Sequence, residues 1–122
     1  MVILDTNILI EIIRQNLLVI ENCNLLGTDN LVISSISYVG FLVGGRDKND
    51  LQRNMKFLSR FKQIPVDENI NSALVNIFEK YSLSHKPSVP DMLIAATAIY
   101  YKCPLYTLNN KDFKYLPGLT LI

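Results

Sequence analysis

The chain has 122 residues, with 12 Lys+Arg against 11 Asp+Glu, 49% hydrophobic residues and 19% charged ones. That is the length and balance of a single globular domain over residues 1–122, and it excludes a disordered chain or a strongly basic nucleic-acid-coating protein. Two cysteines, Cys23 and Cys103, are too few for a disulfide scaffold and read as core thiols.

Met1-Val-Ile-Leu-Asp5 carries no basic region ahead of its apolar run, so it does not read as a secretory signal. The longest apolar stretch, near Leu93–Tyr101, falls well short of the ~20 residues that a membrane span needs. The expectation is a cytoplasmic protein with no membrane partner.

Val2-Ile3-Leu4 is a short, unbroken apolar run, the pattern of a strand buried on both faces of a parallel sheet. Ile8, Leu9, Ile12 and Ile13 then keep helical spacing, with Asp5 or Thr6 as cap. Leu17–Leu26 continues as a second helix and stops at Gly27. Leu31-Val32-Ile33 repeats the strand signal, and Ser34 or Ser35 caps a helix through Ile36, Val39 and Val43, ended by Gly44-Gly45.

Asp47–Phe61 is more polar, and its spacing puts Leu51, Met55, Leu58 and Phe61 on one face. Residues 46 to 62 carry six basic side chains against two acids, with Arg53, Lys56 and Arg60 on the opposite face. That stripe reads first as a solvated surface and second as a phosphate-attracting one. Ile64-Pro65-Val66 reads as a short strand, interrupted at its proline.

Asp67 opens a helix carrying Ile70, Ala73, Leu74, Ile77, Phe78 and Tyr81 at close helical period. Ser82–Pro90, with two prolines and the only histidine, His85, is a loop. Asp91–Tyr101 is apolar almost all round and belongs in the core. Leu105-Tyr106-Thr107 reads as a strand, Asn109–Tyr115 as a turn and Leu119–Ile122 as a last short strand. Strands alternating with helices give an α/β class, a three-layer α/β/α sandwich around a mostly parallel sheet.

In such sheets ligands sit beyond the carboxyl ends of the strands. Asp5 follows the first strand, Ser34 and Ser35 the second, and Thr107, Asn109, Asn110 and Asp112 the strand at Leu105, while Asp91 opens the buried helix. Oxygen-only ligands suit a hard cation such as Mg²⁺ or Mn²⁺, which can activate water and stabilise phosphoryl charge. Singly, each acid reads more readily as a cap. Ser88-Val89-Pro90-Asp91, for example, fits a capping box. His85 has no cysteine at metal spacing and reads as an exposed loop residue. There is no Walker-type glycine loop and no forced Ser–His–Asp set.

Val2-Ile3-Leu4-Asp5-Thr6-Asn7-Ile8-Leu9-Ile10 resembles the opening of PIN-domain ribonucleases, specifically VapC-type toxins of type II toxin–antitoxin systems. Ile33-Ser34-Ser35-Ile36-Ser37, Pro90-Asp91-Met92-Leu93-Ile94-Ala95-Ala96-Thr97-Ala98 and Thr107-Leu108-Asn109-Asn110-Lys111-Asp112-Phe113 resemble the later motifs, in order and across nearly the whole chain. The resemblance implies a PIN-like fold, an acidic pocket for Mg²⁺ or Mn²⁺, and metal-dependent cleavage of RNA. By the same resemblance Asp5, Asp91 and Asp112 are metal-site carboxylates and Asn109 stands where many relatives carry Asp. Thr6 and Asn7 would support the pocket and Thr107 would line it. It also implies a homodimer and a cognate antitoxin that blocks the groove.

One departure concerns Gly40. The family's second motif continues to a Glu where this chain has Gly40, inside a helix, where Gly costs about 1 kcal/mol relative to Ala. Two explanations stand: a packing role that needs a small residue, or loss of a metal-binding carboxylate that impairs cleavage. Glu11, on the first helix, has no spacing that favours it as a substitute. A non-catalytic module that binds antitoxin or RNA without cutting is the alternative function. A haloacid-dehalogenase-type phosphatase also places Asp after the first strand, but it needs a second Asp two residues on, where this chain has Asn7.

Overall fold

The parallel arrangement follows directly from the short apolar runs. In the computed structural model, which describes residues 1–122, four strands form one sheet in the order β3-β2-β1-β4. β1 spans Val2–Leu4, β2 Leu31–Ser34, β3 Lys62–Ile64 and β4 Leu105–Tyr106, and every pairing is parallel. Six helices connect them: α1 Thr6–Ile13, α2 Leu17–Leu26, α3 Ser35–Val43, α4 Lys48–Leu58, α5 Glu68–Tyr81 and α6 Val89–Tyr101. None is long and apolar enough to cross a membrane.

Alternate side chains of each strand point to opposite faces, and the core divides accordingly. Ile3, Val32, Ile64 and Leu105 pack with Ile70 and Ile77 of α5 and with Met92, Ile94, Ala95 and Ala98 of α6. Val2, Leu4, Leu31, Ile33 and Tyr106 pack on the other side with Ile8 and Leu9 of α1, Val19 and Cys23 of α2, and Phe57 and Leu58 of α4. Both faces of the sheet are therefore covered, as the unbroken apolar strands require. The three-layer sandwich expected from the sequence is the fold observed. Cys23 and Cys103 are buried free thiols.

Asp5, rather than Thr6, caps α1. Ser34 caps α3 through the Ile36 N–H, whereas the Ser35 hydroxyl donates to the carbonyl of Ile64. Four details differ from the sequence expectation. β3 lies at Lys62–Ile64, ahead of Pro65. Proline has no N–H for the ladder, so pairing ends where it begins, and the exposed Lys62 and Gln63 mark an edge strand that hydropathy does not see. α6 starts at Val89, because Pro90 falls in the first turn, where its missing N–H costs nothing. The final strand shrinks to one parallel bridge, Leu105 to Leu121.

The fourth difference is the buried face of α4. Leu51 and Met55 are exposed, while Asp50, Phe57 and Leu58 are buried. Phe57 packs between Phe41, tilted at 39° with centroids 5.4 Å apart, and Phe61, edge-on at 79° and 5.5 Å. Asp50 accepts from the Arg46 backbone N–H at 3.1 Å and from its guanidinium at 3.3 Å, and it also pairs with Arg53. These contacts hold its carboxyl below the usual carboxylate range. Arg53 is thus tied to an acid rather than forming part of a free basic stripe. Met55→Ala is expected to change stability by less than about 0.5 kcal/mol, and Phe57→Ala to cost about 3–5 kcal/mol. Urea denaturation of the two variants measures both.

Candidate metal centre at the carboxyl edge of the sheet

With all strands parallel, every strand exit lies on one edge. β1 sits between β2 and β4, so the residue leaving β1 emerges near the middle of that edge. This residue is Asp5, 4% exposed. Its backbone N–H donates to Tyr106 O at 2.9 Å, extending the ladder one step past the strand. Its Oδ1 accepts from Thr6 N–H and its Oδ2 from the Thr107 hydroxyl, both at 2.7 Å.

An ionised carboxylate has only acceptors, so the Thr107 hydroxyl donates its proton to Asp5 while its Oγ1 accepts from the Asn109 N–H at 3.0 Å. Asn7 Oδ1 accepts from the Leu108 N–H at 3.4 Å. Asp5, Thr6, Asn7, Thr107 and Asn109 therefore form one hydrogen-bonded unit that ties the start of the chain to its far end.

Burial pushes the Asp5 carboxyl above its ordinary value. The Thr107 and Thr6 bonds pull it down, and the charges of Asp91 and Asp112 push it up again. Asp91 lies in the first turn of α6, where its N–H is capped by Ser88 Oγ at 3.2 Å. The return bond of a capping box, from Asp91 to the Ser88 backbone, is not made, so the Asp91 carboxylate is not consumed as a cap. Asp112 is exposed in the 3₁₀ turn Asn110–Asp112. Asp91 and Asp112 line one cleft of about 430 Å³, together with Lys111 and Tyr115. The Tyr115 phenol is raised by burial and then by Asp112, Tyr81 and Asp91, so both acids reach it as well.

The acids converge without closing into a ring, since no three His, Cys, Asp or Glu side chains are close enough together to hold an ion. Gly40 is exposed on α3 and lines a different cavity, with Ile10 and Ile13 of α1, with Arg14 just beyond that helix, and with Asp50. A Cβ added at Gly40 would meet no heavy atom within 4 Å. Nothing within this chain therefore requires a small residue at that position. Glu11 accepts from Arg14 at 3.5 Å and from Asn16 at 3.3 Å, which engages it at the end of its own helix.

His85 is exposed, as the sequence suggests, yet it lines the same cleft as Asp91 and Asp112. No periodicity or motif links position 85 to 112 or 115, and only the fold brings them together.

The sequence matches the PIN domain family over residues 2–119. The chain belongs to that family. Over 34 residues it is 59% identical to a ribonuclease VapC of Rickettsia bellii, a match covering 28% of this chain and 25% of that protein. The matched stretch thus spans only a quarter of that relative. Similarity of fold extends over the whole chain. A toxin–antitoxin complex from Klebsiella pneumoniae contains a chain 28% identical, with a TM-score of 0.83, covering 100% of this chain and 96% of that one. VapBC2 from Rickettsia felis, solved bound to a DNA fragment from its promoter, is 28% identical with a TM-score of 0.85, covering 99% and 96%.

Two outcomes follow from the geometry. Gly40→Ala should raise stability by up to about 1 kcal/mol, since it gains helix propensity at no steric cost, as read from the urea midpoint. Because the folded pKa of Asp5 is raised, folding favours its protonated form. The stability this contributes is full below the unfolded pKa and is lost as pH rises through the folded one. In EDTA, Asp5→Asn should flatten that decline, leaving the variant more stable than the unchanged chain at neutral pH.

Proposed function

We propose that this chain is a VapC-type toxin, an endoribonuclease that depends on a divalent metal and whose cleavage is impaired by Gly40. The observation that carries the reading is the buried Asp5 carboxylate, pinned by Thr6 and Thr107 and lying in the field of Asp91 and Asp112. A carboxylate buried among like charges is an electrostatically incomplete site, which a cation completes. All candidate donors are oxygens, which suits Mg²⁺ or Mn²⁺.

Asp5 would anchor the ion, with Asp91 and Asp112 as further ligands once their side chains close in on it, because no three acids stand within reach of one ion here. Asn109 joins the same unit through its N–H bond to Thr107. When bound, such an ion supplies charge stabilisation at a phosphodiester and activates water. Thr107 acts through Asp5 by fixing its orientation. Thr6 and Asn7 hold the turn from which Asp5 projects.

The impairment rests on two features of α3. Gly40 has open space where a side chain would be. Ser37, three residues earlier, is buried with its Oγ unpartnered. Side chains at i and i+3 meet on a helix, so a glutamate at position 40 would give that hydroxyl a carboxylate partner. That it would also serve the acid site is what the family's second motif implies, since Gly40 itself lines a separate cavity. The antitoxin partner is supported by the apolar side chains left in solvent on and beside this helix. On α3 itself Val43 is 78% exposed and Val39 is exposed, as is Ile13 at the end of α1, the helix packed against α3. A monomer seldom leaves such a patch uncovered. A homodimer belongs to the same reading.

In Mn²⁺, Gly40→Glu should raise cleavage of a mixed single-stranded RNA by at least about tenfold, the loss that removing even an outer partner of a metal ligand produces. Cleavage no greater than that of the unchanged chain would leave the non-catalytic binding module as the function. Independently of turnover, Mn²⁺ should raise the melting temperature of the unchanged chain, and Asp5→Asn should abolish that rise. No shift in either protein would remove the metal from the reading.

A further inference from the structure

The cleft that holds Asp91 and Asp112 has an aromatic wall. His85 lies flat on Tyr115, with ring centroids 3.8 Å apart and planes 13° apart. Tyr81 meets both rings at steep angles, at 5.6 and 5.1 Å. The imidazole Nδ1 shares a hydrogen bond with Ser84 Oγ at 2.8 Å, and the His85 backbone N–H donates to Tyr81 O at 3.0 Å. The ring is therefore held in one orientation, although the residue is exposed. Its second face, turned away from Tyr115, is left for a ligand. An aromatic surface fixed in advance loses little freedom on binding a flat partner.

Two cations complete the wall. Lys86, whose backbone is left-handed at φ 47°, and Lys111 line the same cleft as the two acids. A planar face flanked by ammonium groups fits a nucleobase with the phosphates on either side of it. Every base has a π-face, so the fit does not select sequence. It does select strandedness, because a duplex keeps its bases stacked on one another and cannot offer one.

We propose that this cleft is a single-nucleotide subsite for unpaired RNA, in which one base stacks on His85 and Lys86 and Lys111 meet the adjoining phosphates. The proposal rests on the ribonuclease reading above and adds to it the side chains that hold the strand beside the acids: the His85 ring for one base, and Lys86 and Lys111 for its phosphates. His85 is a positioning residue here, since it orients the strand past Asp91 and Asp112 without touching the reacting atoms.

The test uses the full chain in EDTA, so that no cleavage occurs, titrated with a single-stranded oligoribonucleotide carrying 2-aminopurine, whose fluorescence is quenched by stacking. The unchanged chain should bind it with quenching and bind the duplex form far more weakly. His85→Ala should weaken binding about tenfold and remove the quench, the size of loss found for one stacked base. His85→Tyr should keep both, and circular dichroism checks that each variant is folded. Lys86→Ala should lower the slope of log affinity against log salt by about one. Unaltered binding and quenching by a folded His85→Ala protein would overturn the subsite. Binding without quench by the unchanged chain, alongside RNA cleavage by Gly40→Glu, would overturn the subsite and leave the nuclease standing. No RNA binding in EDTA would overturn the subsite as well, and the nuclease reading would fall with it only if Gly40→Glu also failed to cleave RNA in Mn²⁺.

Discussion

The hydrogen bond from Thr107 to Asp5 is the contact on which the rest of the molecule's chemistry depends. It joins two residues at opposite ends of the sequence, and it exists because β1 and β4 are adjacent and parallel. One carboxylate ends the central strand, caps α1 and receives this bond. Hydrogen bonds to a charged group contribute about 1.5–3 kcal/mol each, and they work here against burial and two neighbouring acids. The fold thus holds a charge in a place that disfavours it. That opposition is common at functional sites, where local stability is given up for a poised group.

Much of this was legible in the sequence, for identifiable reasons. Val2–Leu4 and Leu31–Ile33 read as strands because both of their faces are buried, which removes polar alternation. Asp5 stood out because it follows such a run directly. The face of α4 was misread because apolar period favours Leu51 and Met55, and no hydropathy rule expects a buried aspartate. Asp50 is buried only because Arg46 and Arg53 are there to pair with it. β3 was displaced by two residues because an edge strand with Lys62 and Gln63 outward carries almost no apolar signal. The nearness of Asp91 and Asp112 to Asp5 could not come from spacing. It depends on the strand order, and the family resemblance alone hinted at it. The His85–Tyr115 stack had no signal of either kind.

α3 shows how a local rule and a global one can disagree. Glycine in the middle of a helix weakens it, and such a residue ordinarily has a steric reason to be there. At Gly40 the surroundings supply none. The same helix buries a hydroxyl without a partner at Ser37 and leaves Val39 and Val43 in solvent. Three irregularities on nine residues mark α3 as an element incompletely satisfied by the isolated chain. Elements of that kind gain most when something else binds.

The last residues of the chain run alongside β4. Leu105 N–H donates to Thr120 O and Ile122 N–H to Leu105 O, both at 2.9 Å. This clasp covers the outer side of β4 and makes the short tail one border of the sheet, with β3 as the other. There Lys62 projects into water and Pro65 follows immediately, two features that discourage another strand from joining. The tail pairs through a single bridge and β3 has three residues, so neither border offers a long template and edge-to-edge joining of copies of this chain is discouraged.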